Sequence, residues 1–236
     1  MLDKLFIVFS ECVKWCNVNQ LPINFSKTII LNLTRHILFF ESFKFNETII
    51  EVVNSNKYLG IKVDQLFLWD DQITQLTKKL NVQIFVLRKI VHLLNKKYVS
   101  QFYHANFQSK IRYGIVLWGS STRINEILLA QKRAIRLIDV KPHNFPCREL
   151  FRKHKIMTVI NLYVFEVITC AINAGYLNPK GLQPEHKWES RHLFHNPPIP
   201  KLNNWAKNCS EKRVHSNSIA IKFFNSLSVS LKTVFR

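Results

Sequence analysis

The chain has 236 residues, 47% of them hydrophobic, which is apolar material for one large or two small packed domains and excludes a disordered basic tail. Thirty-four lysines and arginines against fifteen acids give a formal net charge of +19. Residues 78–155 hold seventeen of those basic side chains and only three acids (Glu126, Asp139 and Glu149), a local excess that favours a polyanionic partner.

Leu2, Leu5, Phe6, Phe9, Cys12, Val13 and Cys16 recur at steps of three and four, predicting an amphipathic helix that ends near residues 17–22. The apolar run from Leu5 to Phe9 stops at Ser10 and Glu11, too short for a signal peptide or a membrane span. An intracellular protein with no membrane partner is expected, with nucleus or cytoplasm left open. A strand is expected within Lys27–Leu33. Two more follow at Thr48–Val53 and Tyr58–Val63, separated by the turn formers Asn54, Ser55 and Asn56.

From Ile73 the spacing becomes helical: Ile73, Leu76, Leu80, Ile84, Leu87, Val91, Leu94 and Tyr98 step by three or four. One unbroken helix would place Lys78, Lys89 and Lys96 together opposite that stripe, at about 100° per residue. A second basic helix is predicted at about Arg123–Val140, capped by Ser121 or Thr122, with Glu126 near its positive end. Its buried stripe would be Ile124, Leu128, Ile135 and Ile138, and Lys132, Arg133 and Arg136 would project together on the other side. Pro142 to Pro146 ends it. Helices follow at Cys147–Lys153 and Met157–Ala174, the latter with Ile160, Val164, Val167 and Ala171 inward. Residues 176–236 read as an irregular, proline-punctuated tail with a last short helix at Ser218–Leu227. The fold class is therefore α+β, in three territories: 1–68, 69–175 and 176–236.

The usual catalytic sets are missing. Five glycines make no phosphate-cradling loop. His186, His192, His195 and Cys209 match no zinc spacing, so no metal site is expected. Asp70 and Asp71 are adjacent and suit a helix N-terminus better than a two-metal site, whose carboxylates converge from separate elements. Five cysteines without a CxxC pair point to reduced, mostly buried thiols.

Several strings occur in a telling order: WCNVNQLPINFSKT (Trp15–Thr28), KYLGIKVD (Lys57–Asp64) with LFLW (Leu66–Trp69), SKIRYGIVLWG (Ser109–Gly119), AQKRAIRLI (Ala130–Ile138) and CRELFRKHKIMTVINLYVFE (Cys147–Glu166). Together they resemble the back half of reverse transcriptases from non-LTR retrotransposons of the jockey-like, insect LINE type. HSNSIAIKFFNSLSVSLK (His215–Lys232) is similar to the end of the same reading frame, with Ser228 where the family usually has proline. The resemblance implies a small palm edge of helix and strands, then a helical thumb. It makes Lys27 a candidate proton donor to leaving pyrophosphate and Lys57, Tyr58, Leu59, Gly60 and Ile61 a primer-grip hairpin. Lys78, Lys89, Lys96, Lys132, Arg133 and Arg136 become contacts to the phosphates of an RNA/DNA primer-template duplex.

The family's Phe or Tyr, Ala, Asp, Asp hairpin does not occur among these residues. The chain resembles a truncated polymerase that binds duplex without extending it, and no cofactor is expected in it, although the full-length family enzyme uses Mg2+. The missing polymerase portion is a possible second partner. The other readings are a non-enzymatic protein-interaction module and a poorly folding relic.

Overall fold

The computed structural model describes residues 2–33 and 42–174, together with Phe223, Ser226 and Leu227. Helices and strands both occur, so the fold is α+β. The chain divides into two compact units, Met1–Asp71 and Gln72–Arg236, slightly beyond the boundary expected after residue 68. Apart from Phe223, Ser226 and Leu227, the expected tail at 176–236, with its histidines, Cys209 and final helix, lies outside the described residues. Among the described residues no helix is long and apolar enough to cross a membrane.

In the first unit, helix α1 (Leu2–Val18) sets Leu5, Phe9 and Val13 at four-residue steps against Phe43, Phe45 and Ile50 of a three-stranded sheet. The strands are β1 (Ile29–Leu31), β2 (Ser42–Phe45) and β3 (Thr48–Val53), in the order β1-β3-β2. β1 runs parallel and β2 antiparallel to β3. Period-two alternation turns Phe43 and Phe45 inward and Ser42 and Lys44 out. The Phe9 ring meets Phe45 edge-on at 4.8 Å, worth about 0.5–1.5 kcal/mol beyond its buried area. β2 was not expected, since SFKF is short and has no β-branched residue.

The thiols differ from expectation. Cys12 and Cys170 are exposed, Cys16 is half-buried, and among the described cysteines only Cys147 is buried. On α1 the reason is size, because strands of three to six residues cover only part of a seventeen-residue helix.

A second, two-stranded sheet pairs β4 (Ser55–Tyr58) with β5 (Ile61–Asp64). The single strand expected at Tyr58–Val63 is thus two strands, and Ser55 and Asn56 belong to β4 rather than to a turn. Tyr58 pairs with Ile61, leaving Leu59 and Gly60 as a two-residue turn with φ of 47° and 84°, the type I′ signature. An apolar leucine at a left-handed position kept the run looking continuous. Asp64 then accepts hydrogen bonds from the backbone N–H of Leu68 (2.7 Å) and Trp69 (2.6 Å), folding the approach to the next helix.

The second unit is helical. Helix α2 (Asp70–Ile90) turns Ile73, Leu76, Leu80, Ile84 and Leu87 inward. It stops at Ile90, not at Tyr98 as expected. The Leu93 and Leu94 N–H groups close a turn on the Ile90 carbonyl (3.0 and 2.9 Å), and Asn95 is extended (φ −61°, ψ 149°) as the N-cap of α3 (Lys96–Phe102). The apolar spacing runs on through this break, so periodicity alone concealed it. Asn95, of a type that favours N-caps, was the available signal.

From α3 the helix continues through one π stretch, Tyr103–Gln108, into α4 (Ser109–Arg112). The reason lies in the spacing of its buried residues, Val99, Tyr103, Phe107 and Ile111, which is uniformly four. An α-helix would rotate that series by about 40° per step, and the wider π turn keeps it on one face. Gly114 (φ 63°) ends this helix and starts α5 (Ile115–Trp118). A Cβ at Gly119 would collide with the Tyr163 ring and stand 2.5 Å from the Ile115 carbonyl, so only glycine lets that ring close on the backbone.

Helices α6 (Ile124–Ile138), α7 (Arg148–Lys153) and α8 (Val159–Asn173) complete the unit. The inward face of α6 is Ile127, Ala130, Gln131, Ala134, Ile135 and Ile138, so the expected stripe shifts and Ile124 and Leu128 are only half-buried. Arg123, not Ser121 or Thr122, occupies its N-cap. The Ser121 hydroxyl accepts from the Arg123 N–H (3.3 Å), serving the turn before the helix. On α8 the Thr158 side chain caps the helix, Val167 and Ala171 point inward as expected, Val164 is half-buried and Ile160 is exposed. A four-step stripe missed the wider buried face that adds Val159, Leu162, Tyr163 and Ile168.

Gln131 is fully buried and satisfied on both ends of its amide. Nε2 donates to the Tyr103 hydroxyl (2.9 Å) and the Met157 carbonyl (2.8 Å), and Oε1 accepts from the Val159 N–H (2.8 Å). Gln131→Leu keeps the volume and strands three hydrogen-bond partners, two of them at buried bonds, so it should lower stability by about 2–4 kcal/mol. A drop in the urea midpoint with unchanged slope would show this, and an unchanged midpoint would refute it.

Candidate nucleic-acid interface

The hairpin tip presents its polar and aromatic groups outward. Lys57, Tyr58, Leu59 and Gly60 are exposed and Ile61 is buried, anchoring the turn. Lys57 lies directly opposite Lys62, a like-charge pairing that ordinarily costs stability. Lys62 is drawn off by Asp71 at 2.8 Å, in the first turn of α2. The net effect leaves Lys57 as an outward cation beside an exposed ring. Lys27 is also exposed, at the end of a 3-10 turn (Phe25–Lys27) that leads into β1. Nothing links it to a second catalytic group among the described residues.

In the second unit, Lys78 and Lys89 are exposed and stand eleven residues apart on α2, which puts them within about 20° of each other and about 16 Å apart along the axis. Lys96 does not join them as expected, because the break at 91–95 places it on α3. Lys89 also stands over the Phe85 ring, 5.8 Å from its centre. Between Asp71 and Glu126 the sequence has no acid at all, so neither α2 beyond its first turn nor the helix from Lys96 to Arg112 carries its own counter-charge.

On α6 the expected trio is split. Arg133 is exposed, but Lys132 and Arg136 are half-buried, and Arg136 Nε donates to the Phe145 carbonyl at 2.9 Å. The loop after α6 folds back along this side of the helix and takes Arg136 as its anchor. Sequence spacing placed the three residues correctly on the helix but could not show the loop that covers two of them.

Three of the four described acids of this unit are engaged internally, and Glu149 is exposed. Arg123 holds Glu126 through Nε (2.6 Å) and its second amino group (3.1 Å) and reaches Thr74 on α2 (3.2 Å). Arg112 pairs with Glu166 of α8 at 2.6 Å. Asp139 is the C-cap of α6, with a side chain 2% exposed, and it gathers Lys153 (2.7 Å), His154 (3.3 Å) and Lys96 (4.0 Å). Helices α6 and α7 end alike: Val140 (φ 51°) and Lys155 (φ 52°) are left-handed, with Lys141 N–H bonded to Arg136 O and Ile156 N–H to Phe151 O, the Schellman arrangement. A carboxylate at a helix C-terminus opposes the dipole, and the surrounding cations offset it. Sequence reasoning missed this cluster because its members come from three helices.

Burial alone would raise the Asp139 carboxyl, but the Lys153 hydrogen bond and the His154 and Lys153 charges outweigh it and hold the group below its ordinary value of 3.8. Burial pushes the Tyr103 phenol up, opposed by the Gln131 hydrogen bond. Among the described residues no three His, Cys, Asp or Glu side chains come together to hold a metal ion. Comparison of the chain with protein-family models, with curated proteins and with solved structures returns no match.

Two outcomes are expected. Asp139 contributes stability above pH about 3.8, and that contribution is lost as pH falls through the lowered folded value. Asp139→Asn should cost about 1–2 kcal/mol at pH 7, discounted because Lys153 and Lys96 are mostly exposed, and should flatten the acid limb of a stability–pH curve. Parallel curves for the two proteins would contradict this. At the hairpin, Leu59→Asn should raise the thermal midpoint, since asparagine relieves roughly 0.5–1 kcal/mol of left-handed strain; a lower midpoint would argue against the turn type.

Proposed function

We propose that this chain is the palm edge and thumb of an RNA-directed DNA polymerase of the non-LTR retrotransposon type, which binds a primer-template duplex without sequence preference and does not polymerise by itself. The observation that carries it is the ordered run of family-like strings from Trp15 to Glu166, with an exposed hairpin at Lys57–Ile61 and outward lysines on α2. Its mechanism is phosphate neutralisation. Lys78, Lys89 and Arg133 are exposed, and no acid pairs with them among the described residues, so each is available to displace a counterion. Tyr58 and Lys57 would bear on the primer strand. The aspartates that bind Mg2+ in the family have no counterpart among these residues.

A second reading, a protein-interaction module, has one observation in its favour. Helix α1 exposes Ile7, Val8, Trp15 and Val18, a second apolar side beyond the one packed on the sheet.

Binding to a 20-base-pair RNA–DNA hybrid should weaken steeply between 50 and 200 mM salt and equally for unrelated sequences. Lys78→Glu with Lys89→Glu should lower affinity about tenfold or more and flatten the salt slope by about two to four. Metal-dependent primer extension should give no product. Salt-independent binding, a strong sequence preference or extension would each overturn the proposal, and absence of nucleic-acid binding would favour the interaction module.

A further inference from the structure

The turn between α2 and α3 is an apolar tip in a cationic collar. Leu93 is 80% exposed and Leu94 46% exposed, the former among the most exposed large apolar side chains described. Arg88 and Lys89 precede them and Lys96 and Lys97 follow, all exposed. Among the described residues only Lys96 of these four approaches an acid, at 4.0 Å from Asp139, with its side chain still 76% exposed. Burial against a partner would remove nearly all of the Leu93 side chain and the exposed half of Leu94 from water, which is favourable. Their backbone is already fixed by the hydrogen bonds to Ile90 and by the extended Asn95, so little ordering remains to be done on contact.

Resting on the duplex-binding reading above, we propose that Leu93 and Leu94 form a wedge that enters the minor groove of the bound hybrid and partly unstacks one base step. The four cations hold the phosphates on either side. Short apolar side chains flanked by lysine or arginine act on duplexes in this way, and an A-form-like hybrid offers a wide, shallow minor groove for a two-leucine tip. An anionic membrane would be the other polyanion with an apolar interior. It is disfavoured because the continuous apolar face of α2 is already inside the protein, leaving only Val82 and Phe85 outward on that helix. Interfacial anchoring needs a broad apolar face.

The test uses the full chain and a hybrid carrying 2-aminopurine at single positions, with circular dichroism to verify that each variant is folded. Binding of the wild-type chain should raise the 2-aminopurine signal. Leu93→Ala with Leu94→Ala should abolish that rise and weaken binding roughly tenfold with the salt slope unchanged, whereas Lys96→Gln with Lys97→Gln should reduce the slope by about two. A double-leucine variant that binds and unstacks as the wild type does would overturn the wedge and leave duplex binding standing. A wild-type chain that binds no hybrid would overturn both. Tighter leucine-dependent binding to phosphatidylserine vesicles than to hybrid would overturn the wedge in favour of a membrane surface.

Discussion

The helical unit depends on the Gln131 side-chain amide. Three segments meet there: the π stretch through Tyr103, the loop before α8 through Met157, and the first turn of α8 through Val159. None of these segments could be placed by apolar burial alone, because hydrophobic contact is non-directional and tolerates sliding. A fully satisfied buried polar group does not tolerate it. The π stretch and Gln131 are linked in this respect. The π stretch begins at Tyr103, whose hydroxyl accepts from the amide, and it carries Phe107 and leads to Ile111 on the same buried side.

That internal register sets what the surface can do. Arg123 and Glu126 tie the start of α6 to Thr74 on α2, and Asp139 at its other end gathers Lys153, His154 and Lys96. Two of the three acids between residues 78 and 155 are therefore engaged at the ends of one helix, leaving Glu149 exposed. A solvated basic face with interspersed acids would largely neutralise itself within a Debye length of about 8 Å. Here the carboxylates sit where they position helix ends, and the outward field over α2 and α3 stays positive.

Much of the fold was legible in the sequence where local pattern and tertiary packing agree. The α1 stripe and the inward face of α2 follow from spacing, β3 at Thr48–Val53 from its strand-like run before turn formers, and the helix expected at Cys147–Lys153 is observed as Arg148–Lys153. Three of the failures share a cause, which is that period counting is blind to a change of backbone state between residues that keep the period. Val91 and Leu94 continue the α2 spacing across a chain break in helicity, Leu59 continues a strand pattern through a left-handed turn, and the four-residue series from Val99 to Ile111 conceals a π stretch. Of the candidate site, the placing of Lys78 and Lys89 on one side of α2 was legible. That Arg136 is tied to Phe145 and Lys96 leans toward Asp139 was not, because both depend on loops that return from elsewhere. Gln131 did leave a signal: it falls between Ile127, Ala134 and Ile138 on an otherwise apolar face, where a long amide is tolerated only if its partners are close.

The break after Ile90 is also where structure and proposed chemistry meet most closely. An uninterrupted helix from Asp70 to Phe102 would align three lysines in one row and bury Leu94 in the continuing stripe. Ending α2 at Ile90 gives up that burial and moves Lys96 to the start of α3, where a cation opposes the helix dipole and Asp139 offsets it at 4.0 Å. The cost in buried area and in electrostatics falls on the same few residues, while the helix that follows the break packs Val99, Tyr103, Phe107 and Ile111 into the core. Places where local sequence rules fail are expected to be functional or strained sites. On these grounds the 91–97 turn, rather than the α6 face with its half-buried Lys132 and Arg136, is the stronger candidate for direct contact with a duplex.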